Sequence, residues 1–159
     1  MSKPAVVWLQ SGDAAGSSPL AERIAREYRV VDAVSQELGD FILIATSSGT
    51  AAALRLAREA GESCGGLVLL APALSPLPAP STAPDVPTLL LFGMDDTHAP
   101  PSSAGPLCAA LPRAHPVLIY NAGHALERER PEAVSEVVLD FIARRDDFIV
   151  RAESDVIYP

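Results

Sequence analysis

Apolar residues fall into six short runs along the chain: AVVWL (5–9), YRVVDAV (28–34), FILIAT (41–46), GLVLLAP (66–72), TLLLFG (88–93) and PVLIY (116–120). Each has strand length. The runs are continuous rather than alternating, which is the pattern of strands buried on both faces of a parallel sheet. Helices must then cover both faces, and amphipathic segments lie between most runs. Ser18 precedes Pro19 as a helix start, with Leu20, Ile24 and Ala25 on one face. Residues 48–60 form a second helix ended by Gly61, and residues 103–111 a weaker third. In PEAVSEVVLDFIARR (131–145), Val134, Val137, Val138, Phe141 and Ile142 share a stripe, Pro131 and Glu132 suit the first turn, and Arg144 and Arg145 suit the last. Alternating strands and helices predict an α/β fold: a mostly parallel central sheet of about six strands with helices on both faces.

Two connections depart from this alternation. Only SQELGD (35–40) joins the second run to the third, whereas a parallel crossover normally takes about ten to twelve residues. A helix has been pared to one turn there, or one of the strands is misread. SPLPAPSTAPDVP (75–87) carries five prolines in thirteen residues and is a stiff surface loop, since proline removes the donors that helices and central strands require. Residues 1–145 read as one domain. The tail DDFIVRAESDVIYP (146–159) keeps Phe148, Ile149, Val150, Val156, Ile157 and Tyr158. It either folds back on its own domain or supplies an extra strand or arm exchanged with a second subunit, making a homodimer.

Composition narrows the function classes. The chain has 159 residues, 48% of them hydrophobic, enough for a packed core. Twelve basic against twenty acidic residues leave a formal charge of −8, which argues against nucleic acid or an anionic membrane as partner. MSKPAVVWLQ lacks a long apolar stretch behind a basic segment, so a soluble, cytoplasmic protein is expected. Cys64 and Cys108 are not spaced as metal ligands and are expected as buried thiols.

The stretch FILIATSSGTAAAL runs from strand to helix through a turn of small residues. Such a turn presents a side chain at the carboxyl edge of the sheet, where open α/β folds bind ligands. Small residues are needed two before and two after the presented serine. Ala45 and Gly49 stand at those places, so Ser47 is the presented residue, beside the positive end of helix 48–60. A serine nucleophile needs an imidazole base and an acid to orient it. Of the three histidines, His124 in YNAGHALERERP follows the sixth run and returns to the serine's edge. His115 precedes that run, and His98 in GMDDTHAP stands beside the acids. Asp95 and Asp96 follow the fifth run at the same edge, and Asp32 is a more distant candidate. Each residue also has a plain structural reading: Ser47 as a helix cap, His124 as a turn histidine, and Asp95 and Asp96 as loop formers before Pro100.

In this order, serine, acid and histidine, the chain resembles the α/β-hydrolase superfamily over about residues 4–143. ILIATSSGTAAAL resembles its strand, nucleophile elbow and helix, with Ser47 as nucleophile. VPTLLLFGMDDTHAP resembles the acid-bearing strand and loop, with Asp96 as the acid, and NAGHALERERPEAVSEVVLDFI the histidine loop and final helix, with His124 as the base. The Ser-Ser-Gly elbow and small size are similar to the compact serine hydrolases related to retinoblastoma-binding protein 9. The resemblance further implies that LQSGDAAGSS (9–18) is the oxyanion turn, with a donor among Ser11, Gly12 and Asp13 and the Ser48 amide as the other. Ala45 stands where the family usually has glycine, Thr46 where it commonly has histidine, and the 75–87 loop where many relatives insert a cap domain.

The implied activity is hydrolysis of a carboxylic ester or thioester of a small substrate at a shallow, open site, without metal or organic cofactor. The rival class is a hydrolase fold kept as a binding or assembly module with the tail as its interface. A flavodoxin-like binding domain would need a phosphate-cradling glycine loop after the first strand, which SGDAAGSS matches poorly.

Overall fold

A computed structural model describes residues 3–9, 18–35 and 37–148, together with the backbone of Val156–Ile157. Its strands are β1 (Ala5–Leu9), β2 (Val30–Val31), β3 (Phe41–Thr46), β4 (Cys64–Leu70), β5 (Thr88–Gly93), β6 (Ala114–Ile119) and β7 (Val156–Ile157). Its helices are α1 (Pro19–Ala25), α2 (Thr50–Ala60), α3 (Ala104–Ala110), α4 (Leu126–Glu129) and α5 (Pro131–Arg144). They build one sheet in the order β2-β1-β3-β4-β5-β6-β7. The first six strands pair in parallel, and β7 adds an antiparallel edge through Leu118↔Ile157 and Ile119↔Val156.

The continuous apolar runs follow from burial on both faces. Val6 and Trp8 of β1 belong to one core cluster with Leu20 and Ile24 of α1 and with Val134, Val138, Phe141 and Ile142 of α5. Ala5 and Val7 belong to the other, with Ala53, Leu54 and Ala57 of α2 and Leu107 of α3. Alternate residues therefore serve opposite layers, and each fully buried Leu, Ile or Val contributes about 1.5–3 kcal/mol of transfer free energy. The chain moves from β1 outward to β2, then crosses back to β3 on β1's other side. This reversal opens a crevice at the carboxyl ends of β1 and β3.

Several element ends differ from the sequence expectation. The run 28–34 yields only the two-residue β2, because it is an edge strand whose valines are half-buried and Asp32 is already exposed. Residues 32–40 then cross to β3 without a helix among the described residues. β4 starts two residues early, at Cys64, and β6 spans Ala114–Ile119. Ser18 stands at the N-cap of α1 in extended conformation, but its hydroxyl makes no cap hydrogen bond. Arg144 pairs with Asp140 one turn back, while Arg145 leaves the helix at φ 47° and donates to Asp40 at 2.7 Å. The proline-rich stretch holds only a 3₁₀ turn at Pro80–Thr82, so no cap domain stands between β4 and β5.

Candidate active site

β3 delivers the chain to Thr46 in extended conformation, and a 3₁₀ turn over Ser47–Gly49 leads directly into α2. Ser47 sits in the left-handed region with φ 43°, which costs a non-glycine residue about 1–2 kcal/mol. Its carbonyl accepts from the Thr50 hydroxyl at 2.7 Å, from the Thr50 N–H and from the Ala73 N–H at 3.4 Å. The surrounding contacts thus maintain the strained turn. The capping role is not taken up: Gly49 occupies the N-cap of α2, and the Ser47 hydroxyl reaches across the sheet edge instead. Ala45 is fully buried beneath the turn, and a Cβ at Gly49 would lie 3.6 Å from the Ala45 Cβ. A larger residue at position 45 would crowd this approach.

Ser47, Asp96 and His124, from three separate loops, meet there. His124 Nε2 lies 3.1 Å from Ser47 Oγ, and His124 Nδ1 lies 2.8 Å from Asp96 Oδ2. The side chain of Asp96 is wholly buried, whereas that of His124 is 40% exposed. Asp96 Oδ1 accepts hydrogen bonds from the N–H groups of His98 at 2.8 Å and Ala99 at 2.9 Å. Burial pushes the Asp96 carboxyl up. The hydrogen bonds from Ala99, His124 and His98 outweigh it, and the carboxyl is held below its ordinary range. A buried, ionised acid facing one imidazole nitrogen leaves the other nitrogen to face the hydroxyl, which is the tautomer a general base requires.

The neighbouring candidates fall outside this line. Asp95 is exposed, and its N–H donates to the Ala122 carbonyl at 2.9 Å. Asp32 is exposed at the end of β2. His115 lies within β6, packs edge-on against Phe148 and has its pKa lowered by burial and by Arg113. Ser48 follows Ser47 in the 3₁₀ turn, which places its amide beside the elbow. The other oxyanion candidates, Ser11, Gly12 and Asp13, lie outside the described residues.

Three supports were not identified from sequence. The His98 ring stands edge-on to the His124 ring, with centroids 4.8 Å apart. Glu129 accepts from the N–H of Gly123 at 2.9 Å and of Ala125 at 3.2 Å, so one carboxylate grips the backbone on both sides of His124. Gly93 lets the histidine loop cross the end of β5: a Cβ there would meet the backbone of Ala122 and Gly123. Turn chemistry signals a glycine at a strand end, but only the fold reveals what crosses it.

Among the described residues no group of three or more His, Cys, Asp or Glu converges as metal ligands. Cys64 and Cys108 are both free. Burial raises both thiols, that of Cys64 to about 11; Cys108, expected inside, is only half-buried. Among the described residues no helix is long and apolar enough to cross a membrane.

No family model matches the chain. Solved structures do. A 2-hydroxy-6-oxo-6-phenylhexa-2,4-dienoate hydrolase from Rhodococcus sp. strain RHA1 superposes with a TM-score of 0.74 at 14% identity, covering 89% of this chain and 91% of that one. An α/β-hydrolase enzyme from the metagenome of lagoon sediments at Mar Chica, Morocco, gives 0.72 at 18% identity over 92% and 93%. A carboxylesterase from Bacillus subtilis gives 0.69 at 17% identity over 87% and 83%. The chain therefore has the α/β-hydrolase fold, as its sequence resemblance implies.

Proposed function

We propose that this protein is a serine hydrolase that cleaves a carboxylic ester or thioester of a small substrate through an acyl-enzyme. The observation that carries the reading is the hydrogen-bonded line from Ser47 Oγ through His124 to the buried Asp96 carboxylate. Ser47 attacks the carbonyl carbon while His124 Nε2 takes the hydroxyl proton, and Asp96 holds the imidazole and stabilises its positive charge. The Ser48 amide, with a partner from residues 11–13, receives the oxyanion; each such donor is worth about a hundred- to a thousandfold in rate. His124 returns the proton to the departing alcohol or thiol. Water then attacks the acyl-enzyme with His124 again as base, releasing the acid and restoring Ser47. A binding module without turnover leaves both the left-handed Ser47 and the two aligned hydrogen bonds without a purpose.

Hydrolysis of p-nitrophenyl acetate tests the reading. The wild-type protein should turn over the ester, and Ser47→Ala should fall to the buffer rate while melting as a folded protein. Undiminished turnover by Ser47→Ala refutes the assignment.

A further inference from the structure

A cavity of about 560 Å³ lies beside the Ser47 and His124 pair, between the connection that follows β4 and the start of α3. Ala73, Leu74 and Leu77 line one side, and Ala99, Pro106 and Leu107 the other. Its polar side chains are Ser75, Ser102, Ser103 and His98, and among the described residues no Lys, Arg, Asp or Glu lines it. Two lining residues also touch Ser47 and His124: the His98 ring stands edge-on to the His124 ring with centroids 4.8 Å apart, and the Ala73 N–H donates to the Ser47 carbonyl at 3.4 Å. Leu77, 41% exposed on the proline-rich connection, stands where an apolar ligand would cover it.

We propose that this cavity receives an uncharged apolar chain of the ester, so that the protein prefers esters bearing a medium-length alkyl group to those bearing only methyl and ethyl groups. The proposal rests on the hydrolase reading of Ser47. A carboxylate or ammonium entering the cavity would lose hydration without meeting an opposite charge, which excludes charged chains. Clefts of roughly 300–1,000 Å³ hold drug-sized ligands, so a chain of about six carbons fits. The proline-rich connection, standing where many relatives insert a cap, thereby acts as one wall of a binding site.

The test follows acid release in a pH-stat with ethyl acetate, ethyl hexanoate and hexyl acetate. Each fully buried methylene is worth about fourfold, so at least one six-carbon ester should exceed ethyl acetate by about tenfold or more in kcat/KM. A gain with ethyl hexanoate places the acyl chain in the cavity, and a gain with hexyl acetate places the alcohol chain there. Leu77→Asp puts a carboxylate at the wall and should collapse that preference towards unity. Turnover of ethyl acetate with no gain for either longer ester, or a preference untouched by Leu77→Asp, overturns the cavity assignment while leaving the hydrolase reading in place. No turnover of any ester, with Ser47 also unlabelled by a fluorophosphonate probe, overturns both.

Discussion

Replacing Gly93 with alanine puts a methyl group where the loop bearing His124 crosses the end of β5. The new Cβ would lie 2.8 Å from the Ala122 carbonyl carbon and closer still to the oxygens of Ala122 and Gly123, whereas ordinary contact begins at 3.4 Å. All three atoms are backbone, and the Ala122 oxygen is also pinned by the Asp95 N–H at 2.9 Å, so no side chain can swing aside. The loop must shift by about an ångström, and overpacking of this kind costs about 1–3 kcal/mol. His124 Nε2 now lies 3.1 Å from Ser47 Oγ, and such a shift breaks that contact. A misplacement of about 1 Å costs on the order of a hundredfold in rate. Gly93→Ala should therefore lower kcat/KM on p-nitrophenyl acetate by about two orders of magnitude and melt a few degrees below wild type. Gly49→Ala is the control: its Cβ would make an ordinary 3.6 Å contact with Ala45 at φ −70°, so activity should persist. The packing argument is wrong if Gly93→Ala keeps wild-type turnover and melting temperature, or if Gly49→Ala suffers the greater loss.

Four further outcomes follow from the same geometry. Asp96→Asn should lower kcat by about a thousand- to ten-thousandfold, whereas Asp95→Asn should leave it nearly unchanged; the reverse would assign the acid to Asp95. Because the native Asp96 pKa is depressed, its stabilisation is complete above the unfolded value of about 3.9. It is lost only as the pH falls through the native value, so urea melts should show the stability gap between wild type and Asp96→Asn present at about pH 5 and shrinking in stronger acid. Ser47→Gly should be more stable than Ser47→Ala by about 1–2 kcal/mol, since only glycine relieves the left-handed φ; equal melting temperatures would mean the turn stores no strain. Glu129→Gln weakens the grip on the Gly123 and Ala125 amides and should cut kcat about tenfold through misalignment with KM unchanged, together with a shift of the His124 Nδ1 proton resonance. An unmoved resonance and kcat would deny Glu129 its positioning role.

The central strands were legible because they are buried on both faces, so that hydrophobicity alone marks β1, β3 and β5 at their observed ends. β2 was overextended because an edge strand has less burial to enforce its length, and RVVDAV carries the same residue types as a longer one. That Ser47, Asp96 and His124 come together was legible because the elbow needs small residues at fixed offsets and the loops of Asp96 and His124 follow strands that return to the same edge. What chain pattern could not convey is the third dimension of the site. Glu129 lies in an exposed run of alternating charges that reads as solvated surface, and only the turn of α4 brings its carboxylate back to the amides flanking His124. His98 stands beside the acids in the chain, and the tight turn after β5 is what sets its ring against that of His124.

The central claim, that Ser47 is an activated nucleophile, is tested most directly by incubating the folded protein with a fluorophosphonate probe and weighing it intact. Ser47 Oγ should bond to phosphorus as fluoride leaves, giving a single adduct that maps to Ser47 and is absent from Ser47→Ala. A folded protein that gains no mass, or an adduct that survives Ser47→Ala, would contradict the account.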